Sequence, residues 1–118
     1  MNIESLRQYC LSLKAVTEDT PFGEDTLVFR VMDKIFALTS LDTEGCRVNL
    51  KCDPDYAIEL REQYDDIQPG FHMNKKHWNT VLCENGLEDK LIKSLIIHAY
   101  DMVVKSLPKA KKEILEGM

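Results

Sequence analysis

No Cys-x-x-Cys pair occurs in this sequence, although it holds four cysteines, Cys10, Cys46, Cys52 and Cys83. Isolated cysteines at such spacings read as free thiols of a reducing cytoplasm rather than as a disulfide framework. Long apolar runs are missing too. Leu95-Ile96-Ile97 stops at His98, and no run comes near the ~20 residues of a membrane span. The opening Met-Asn-Ile-Glu-Ser-Leu-Arg lacks the basic and then apolar pattern of a signal peptide. The expectation is a soluble, cytoplasmic, monomeric protein with no membrane contact. A Gly-rich phosphate loop, a nucleophile beside a base and a carboxylate pair with a reason to be perturbed are all absent. The five glycines are scattered at turns, which points away from an enzyme and requires no cofactor.

What is present is an ordinary globular composition, 44% hydrophobic and 30% charged over 118 residues, the size of one domain spanning residues 1–118. The charge is unevenly spread. Residues 1–66 carry seven Lys or Arg against fourteen Asp or Glu, residues 67–83 carry two bases and no acid, and residues 84–118 balance six against six. The net charge of −5 excludes a whole-surface polyanion binder, because phosphate affinity is assembled from neutralised charges. Any such binding is local, and the acid-free run Pro69-Gly70-Phe71-His72-Met73-Asn74-Lys75-Lys76-His77-Trp78 is its natural seat.

The pattern along the chain predicts α-β-β-β-α-β-β-α. Ile3, Leu6, Cys10 and Leu13 fall on one stripe of a first helix over residues 3–14. Thr17–Asp25 reads as an acidic surface connection; its acids do not follow the spacing of a hard-cation loop. Thr26–Met32 and Lys34–Leu41 form a hairpin around Asp33. In the strand Cys46–Cys52, strict alternation puts Cys46, Val48, Leu50 and Cys52 inside and Arg47, Asn49 and Lys51 outside. Asp53-Pro54 opens a helix with an N-cap acceptor and a proline at the first helical position; Ala57, Leu60, Arg61 and Tyr64 form its inner stripe. Ile67–Met73 is extended, with Pro69-Gly70 marking a bent edge. Trp78–Cys83 is the last strand and Leu87–Leu107 the longest helix, with Leu91, Leu95, Ala99, Met102 and Val103 inward. Beyond Pro108 the tail forms a frayed turn or two of helix. Strands joined by short turns are antiparallel, so the fold class is α+β, an antiparallel sheet with helices on one face and the other face open.

Phe22-Gly23, Lys34-Ile35-Phe36-Ala37, Leu50-Lys51-Cys52-Asp53-Pro54 and the block from Pro69 to Val81 together resemble the MmcQ/YjbR family of small bacterial proteins. The last block is the most specific. The resemblance implies a CyaY/frataxin-like α+β fold with two β-hairpin wings, described as a double-wing DNA-binding arrangement. Asp33 stands in the first turn where the family often has Gly, and Phe71 where Tyr is frequent.

The candidate nucleic-acid-binding residues are Asn74, Lys75, Lys76, His77 and Asn79 at or beside the tip of the last hairpin, Trp78 as a base-stacking group, and Arg30, Arg47, Asn49 and Lys51 on the outer sheet face. Each has a plainer reading. Paired lysines at a tip guard an edge, a lone tryptophan in a strand is more often core, and polar residues outside with apolar ones inside are what any half-exposed strand shows. His72 and His77 lack a third ligand for a metal site. Cys83 and His77 share strand parity, so a thiol–imidazole pair arises only if both face one cleft. The alternative function is a protein-interaction or small-ligand module in which the acidic half meets a basic partner and the Trp78 region forms a pocket.

Overall fold

The computed structural model describes residues 1–118 and contains α1 (Ile3–Ser12), β1 (Val16–Asp19), β2 (Thr26–Val31), β3 (Lys34–Ser40), β4 (Arg47–Lys51), α2 (Pro54–Gln63), β5 (Ile67–Pro69), β6 (Trp78–Leu82), α3 (Asp89–Ser106) and α4 (Lys109–Glu116). The strands form one antiparallel sheet in the order β1-β2-β3-β4-β6-β5. The α+β class expected from the pattern is the one found.

Period-two alternation sorts the sheet into two faces. Phe29, Ala37, Val48, Leu50 and Val81 point inward, where they join Leu6 and Cys10 of α1, Ala57 and Leu60 of α2, and Ile92, Leu95, Ile96, Ala99 and Val103 of α3 in one core. The inner stripe of α3 is rotated from the one expected: Ile92 and Ile96 are fully buried while Leu91 and Met102 sit half-buried at its margin. A register irregularity between Phe29 and Arg30 lets Phe36 and Ala37 both turn to the core, an extra residue that alternation does not reveal. Phe36 meets Tyr100 of α3 edge-on at 5.7 Å between ring centroids.

The structure has one strand more than the pattern predicts. Val16–Asp19, expected within a surface connection, pairs with β2 from Val16 opposite Val31 to Asp19 opposite Val28. Its acids look like loop residues, yet on an edge strand they are solvated and partnered: Glu18 takes the Arg7 guanidinium and Asp19 takes Arg30 at 3.2 Å. The tail past Pro108 is a regular two-turn helix that buries Leu115 in the core.

Short-range chemistry fixes the junctions. Met32 and Asp33, at φ +49° and +72°, make a two-residue turn between β2 and β3 of the mirror-image type that matches strand twist. Asp53 caps α2 by accepting from the Tyr56 amide at 3.1 Å, with Pro54 first in the helix. The amide of Asp53 itself donates to His98 Nε2 on α3 at 3.1 Å, which ties the start of one helix to the middle of another.

Candidate functional site

The outer sheet face carries no helix. From the register, Gln68, Thr80, Asn49, Leu38 and Val28 lie in one row across it, with Lys51 and Trp78 paired on one side of that row and Arg47 and Leu82 on the other. The cover is supplied by loops, chiefly residues 70–77 between β5 and β6.

That loop is two consecutive turns rather than a tight hairpin tip. The Met73 amide donates to the Gly70 carbonyl at 3.2 Å and the His77 amide to the Asn74 carbonyl at 3.2 Å, while Gly70 closes the base through Trp78 O at 2.9 Å. Gly70 is required by proximity: a Cβ there would stand 2.8 Å from Trp78 Cβ and 2.9 Å from its carbonyl oxygen. His72 holds φ +59°, a left-handed conformation that costs a non-glycine residue about 1 kcal/mol or more.

The loop is held down by sheet side chains. Thr80 Oγ1 accepts from the Phe71 amide at 2.9 Å and donates to Asn49 Oδ1 at 2.5 Å; Asn49 Nδ2 donates to the Phe71 carbonyl at 3.2 Å. Both main-chain groups of Phe71 are thereby satisfied while its ring stays 58% exposed. On the inner side, Arg61 of α2 donates to Asn79 Oδ1 at 2.7 Å, to Trp78 O at 3.5 Å and to the Lys75 carbonyl.

These contacts redistribute the residues expected to bind together. Asn79 points inward, is 2% exposed and is committed to Arg61 and the Ala57 carbonyl; it lies behind the sheet and offers nothing to a ligand. Trp78 is on the outer face but 9% exposed under the loop, with Lys51 Nζ 5.4 Å from its ring centroid, so it is filling rather than a stacking platform. Asn49 is consumed in holding Phe71. Asn74 accepts from the Lys76 amide at 2.9 Å and serves the turn. Arg30 shares the outer face as expected, but its guanidinium is spent on Asp19 and the Asp33 carbonyl. His77 is half-buried at the start of β6, its carbonyl accepting from the Cys52 amide at 2.8 Å.

Four of the expected cations make no ion pair with a carboxylate: Arg47 and Lys51 on β4, and Lys75 and Lys76 in the loop. Arg47 and Lys51 are four residues apart on one face, roughly 13 Å along the strand at about 3.3 Å per residue. The Arg47 guanidinium lies 5.8 Å from the Phe71 ring centroid. Lys75 Nζ donates to the Gly70 carbonyl at 3.2 Å, and Lys76 is exposed.

Pattern reading missed the hollow beside them. A cavity of about 380 Å³ opens on the outer face between the loop and the β3–β4 connection, walled by Phe22, Leu38, Asp42, Thr43, Arg47, Phe71, His72 and Thr80 among others. Phe22 is 67% exposed. Phe22 and Phe71 were available as signals, since both sit in loops among turn formers where an apolar ring has no core to enter.

The thiol–imidazole pairing of Cys83 with His77 does not form. Cys83 is buried at the far end of β6 from His77, roughly 20 Å along the strand. It faces Cys46 across the sheet, its amide donating to Cys46 O at 2.8 Å. The Cys83 thiol donates to the Val81 carbonyl at 3.5 Å; interaction between the two cysteine side chains pushes Cys83 up and Cys46 down from the usual cysteine range. His72 lies against Phe71 at 4.1 Å between centroids, the rings tilted by 51°. No three His, Cys, Asp or Glu side chains gather in a group able to hold a metal, and no helix is long and apolar enough to cross a membrane.

Comparison with known proteins places this geometry in context. The YjbR family profile matches residues 11–102. The uncharacterised protein YjbR of Escherichia coli K12 is 32% identical over 115 residues, 98% of either chain. Protein YbdF of E. coli O157:H7 is 36% identical over 106 residues, 90% of this chain and 87% of its own. The crystal structure of Deinococcus radiodurans protein DR2400, of domain family DUF419, superposes with a TM-score of 0.89 at 36% identity, covering 98% of this chain and 88% of that one. A Pseudomonas syringae protein does so with a TM-score of 0.76 at 31% identity, over 86% of this chain and 98% of that one.

Proposed function

This chain belongs to the YjbR family, and from that premise we propose that it is a non-enzymatic module of the bacterial cytoplasm that binds nucleic acid weakly through its open sheet face. The groups that carry the binding are Arg47, Lys51, Lys75 and Lys76. The single observation behind this reading is that these four are free of carboxylates on one side of a molecule whose net charge is −5. A cation already paired with an acid gains little from a phosphate; an unpaired one releases a counterion on binding. Four buried, unbridged thiols support the reducing compartment.

The patch is small, which sets the expected strength. With about three or four phosphates neutralised, log K falls with log salt at a slope of roughly −2 to −3 on a single strand. Anisotropy titrations of labelled DNA and RNA from 20 to about 200 mM salt measure that slope. The double variant Lys75→Ala/Lys76→Ala flattens it by about 1.4 and weakens binding at low salt. Absence of binding by the wild-type chain at the lowest salt refutes the reading.

A second reading, a small-ligand module, is favoured by one observation, the cavity with two exposed phenylalanines at its wall. On that reading a low-molecular-weight anion occupies the hollow and no polymer is held.

A further inference from the structure

We infer that the cavity on the outer face seats one unpaired nucleobase, with the phosphate attached to that nucleotide lying against Arg47. This inference rests on the nucleic-acid reading and adds to it: the polymer is single-stranded, and contact is made to a base as well as to the backbone.

Three features of the cavity point to a planar, partly apolar group joined to an anion. Its volume of about 380 Å³ falls at the small end of ligand pockets, which run to roughly 300–1,000 Å³, enough for one nucleotide and too little for a stacked pair of bases in their duplex. Its walls hold Phe22 and Phe71, 67% and 58% exposed. Phe71 is the more informative, because Thr80 and Asn49 hold its main chain on the sheet while its ring, with His72 at 4.1 Å between centroids and Arg47 Cζ 5.8 Å away, still stays 58% exposed. An exposed ring on an anchored backbone is a stacking surface whose backbone ordering cost has been met in the fold. The same loop keeps His72 at φ +59°, a strained conformation of the kind that clusters at ligand clamps.

Polar groups at the cavity fit the rest of a nucleotide. Arg47 reaches the wall beside Phe71 with no acid on its guanidinium, an arrangement that matches phosphate. Thr43 lines the cavity as well. Asp42 is the opposing group. Its carboxylate accepts from Ser40 at the rim and repels a phosphate, so it limits affinity. A duplex cannot use this site, since its bases are stacked and paired.

Two measurements test the inference separately from the parent reading. In the first, a labelled single-stranded decamer competes against an abasic decamer of equal charge and against duplex DNA. The expected result is about tenfold preference for the base-bearing strand. Phe71→Ala and Phe22→Ala, both at exposed rings that the fold does not need, each remove about five- to tenfold of it, and Asp42→Asn raises affinity. Equal binding of the abasic strand, with loss only in Lys75→Ala/Lys76→Ala, overturns the base seat and leaves the cationic reading standing. In the second, adenosine 5′-monophosphate at millimolar concentration is added to the wild-type chain with amide NMR detection, and inorganic phosphate serves as the control. Shifts at Phe22, Thr43, Phe71 and Thr80 that phosphate alone does not produce support the seat, even if no polymer binds and the parent reading falls. Shifts confined to Lys75 and Lys76, or none, overturn it.

Discussion

At the scale of single residues the fold of the site depends on Gly70. Its hydrogen count matters more than its backbone freedom, because the space a methyl would take is filled by Trp78. Gly70→Ala is therefore expected to cost about 1–3 kcal/mol through overpacking, read as a fall in the urea midpoint. On the proposed nucleic-acid reading it weakens that binding as well, since the loop that carries Lys75 and Phe71 must shift. An alanine variant with wild-type midpoint would show the close approach to be relaxed at no cost. Residue identity alone gave much of the outer row: the alternation of Arg47, Asn49 and Lys51 against Val48 and Leu50 is realised as read. It did not separate the free cations from the committed polar groups. Whether Asn49 reads a ligand or holds Phe71, and whether Arg30 is available or bound to Asp19, depends on partners 22 and 11 residues away. Such pairings are properties of the assembled sheet, and no local pattern encodes them.

Between elements, the contact from α2 to α3 is sensitive to pH. His98 Nε2 accepts from the Asp53 amide, and the ring stands edge-on to Tyr56 at 5.0 Å, so the neutral imidazole is the form the fold uses. Burial holds its pKa below the ordinary value of 6.5. A base whose folded pKa is depressed binds protons more readily when unfolded. Its stabilising effect is complete above about pH 6.5 and is lost as pH falls through the lower folded value. Urea midpoints should therefore drop between pH 7.5 and 5.5. His98→Gln should start lower at pH 7.5 and lose less across the same interval; parallel curves for the two proteins would exclude His98 as the cause. Element boundaries were legible where caps and alternation agree, as at Asp53-Pro54. They were not legible for β1, whose acids are tolerated only because it lies at the sheet edge, nor for the doubled inward residues Phe36 and Ala37 at the register shift.

For the molecule as a whole, the thiols report on cooperativity. Burial pushes Cys10 up to about 12 and Cys52 up to about 11, and Cys83 is raised by interaction with the Cys46 thiol and by burial. Thiolate is the reactive form, so these three should react with a disulfide reagent only at the rate of global opening. Cys46, lowered by its interaction with the Cys83 side chain and bordering a surface hollow with Thr43 and Gly45, should react first. Four equal rates in native buffer would contradict that order. The sheet edges complete the picture: β5 is three residues long and ends in Pro69, and β1 presents Glu18 and Asp19, so neither margin invites a further strand.

The clamp on Phe71 has an evolutionary corollary. Because Thr80 and Asn49 grip only the peptide groups on either side of that Cα, the backbone there is indifferent to what the side chain is. Tyrosine, histidine or leucine at 71 would ride on the same two hydrogen bonds, so descendants of this scaffold can change the group presented at the cavity by a single codon without renegotiating how they fold.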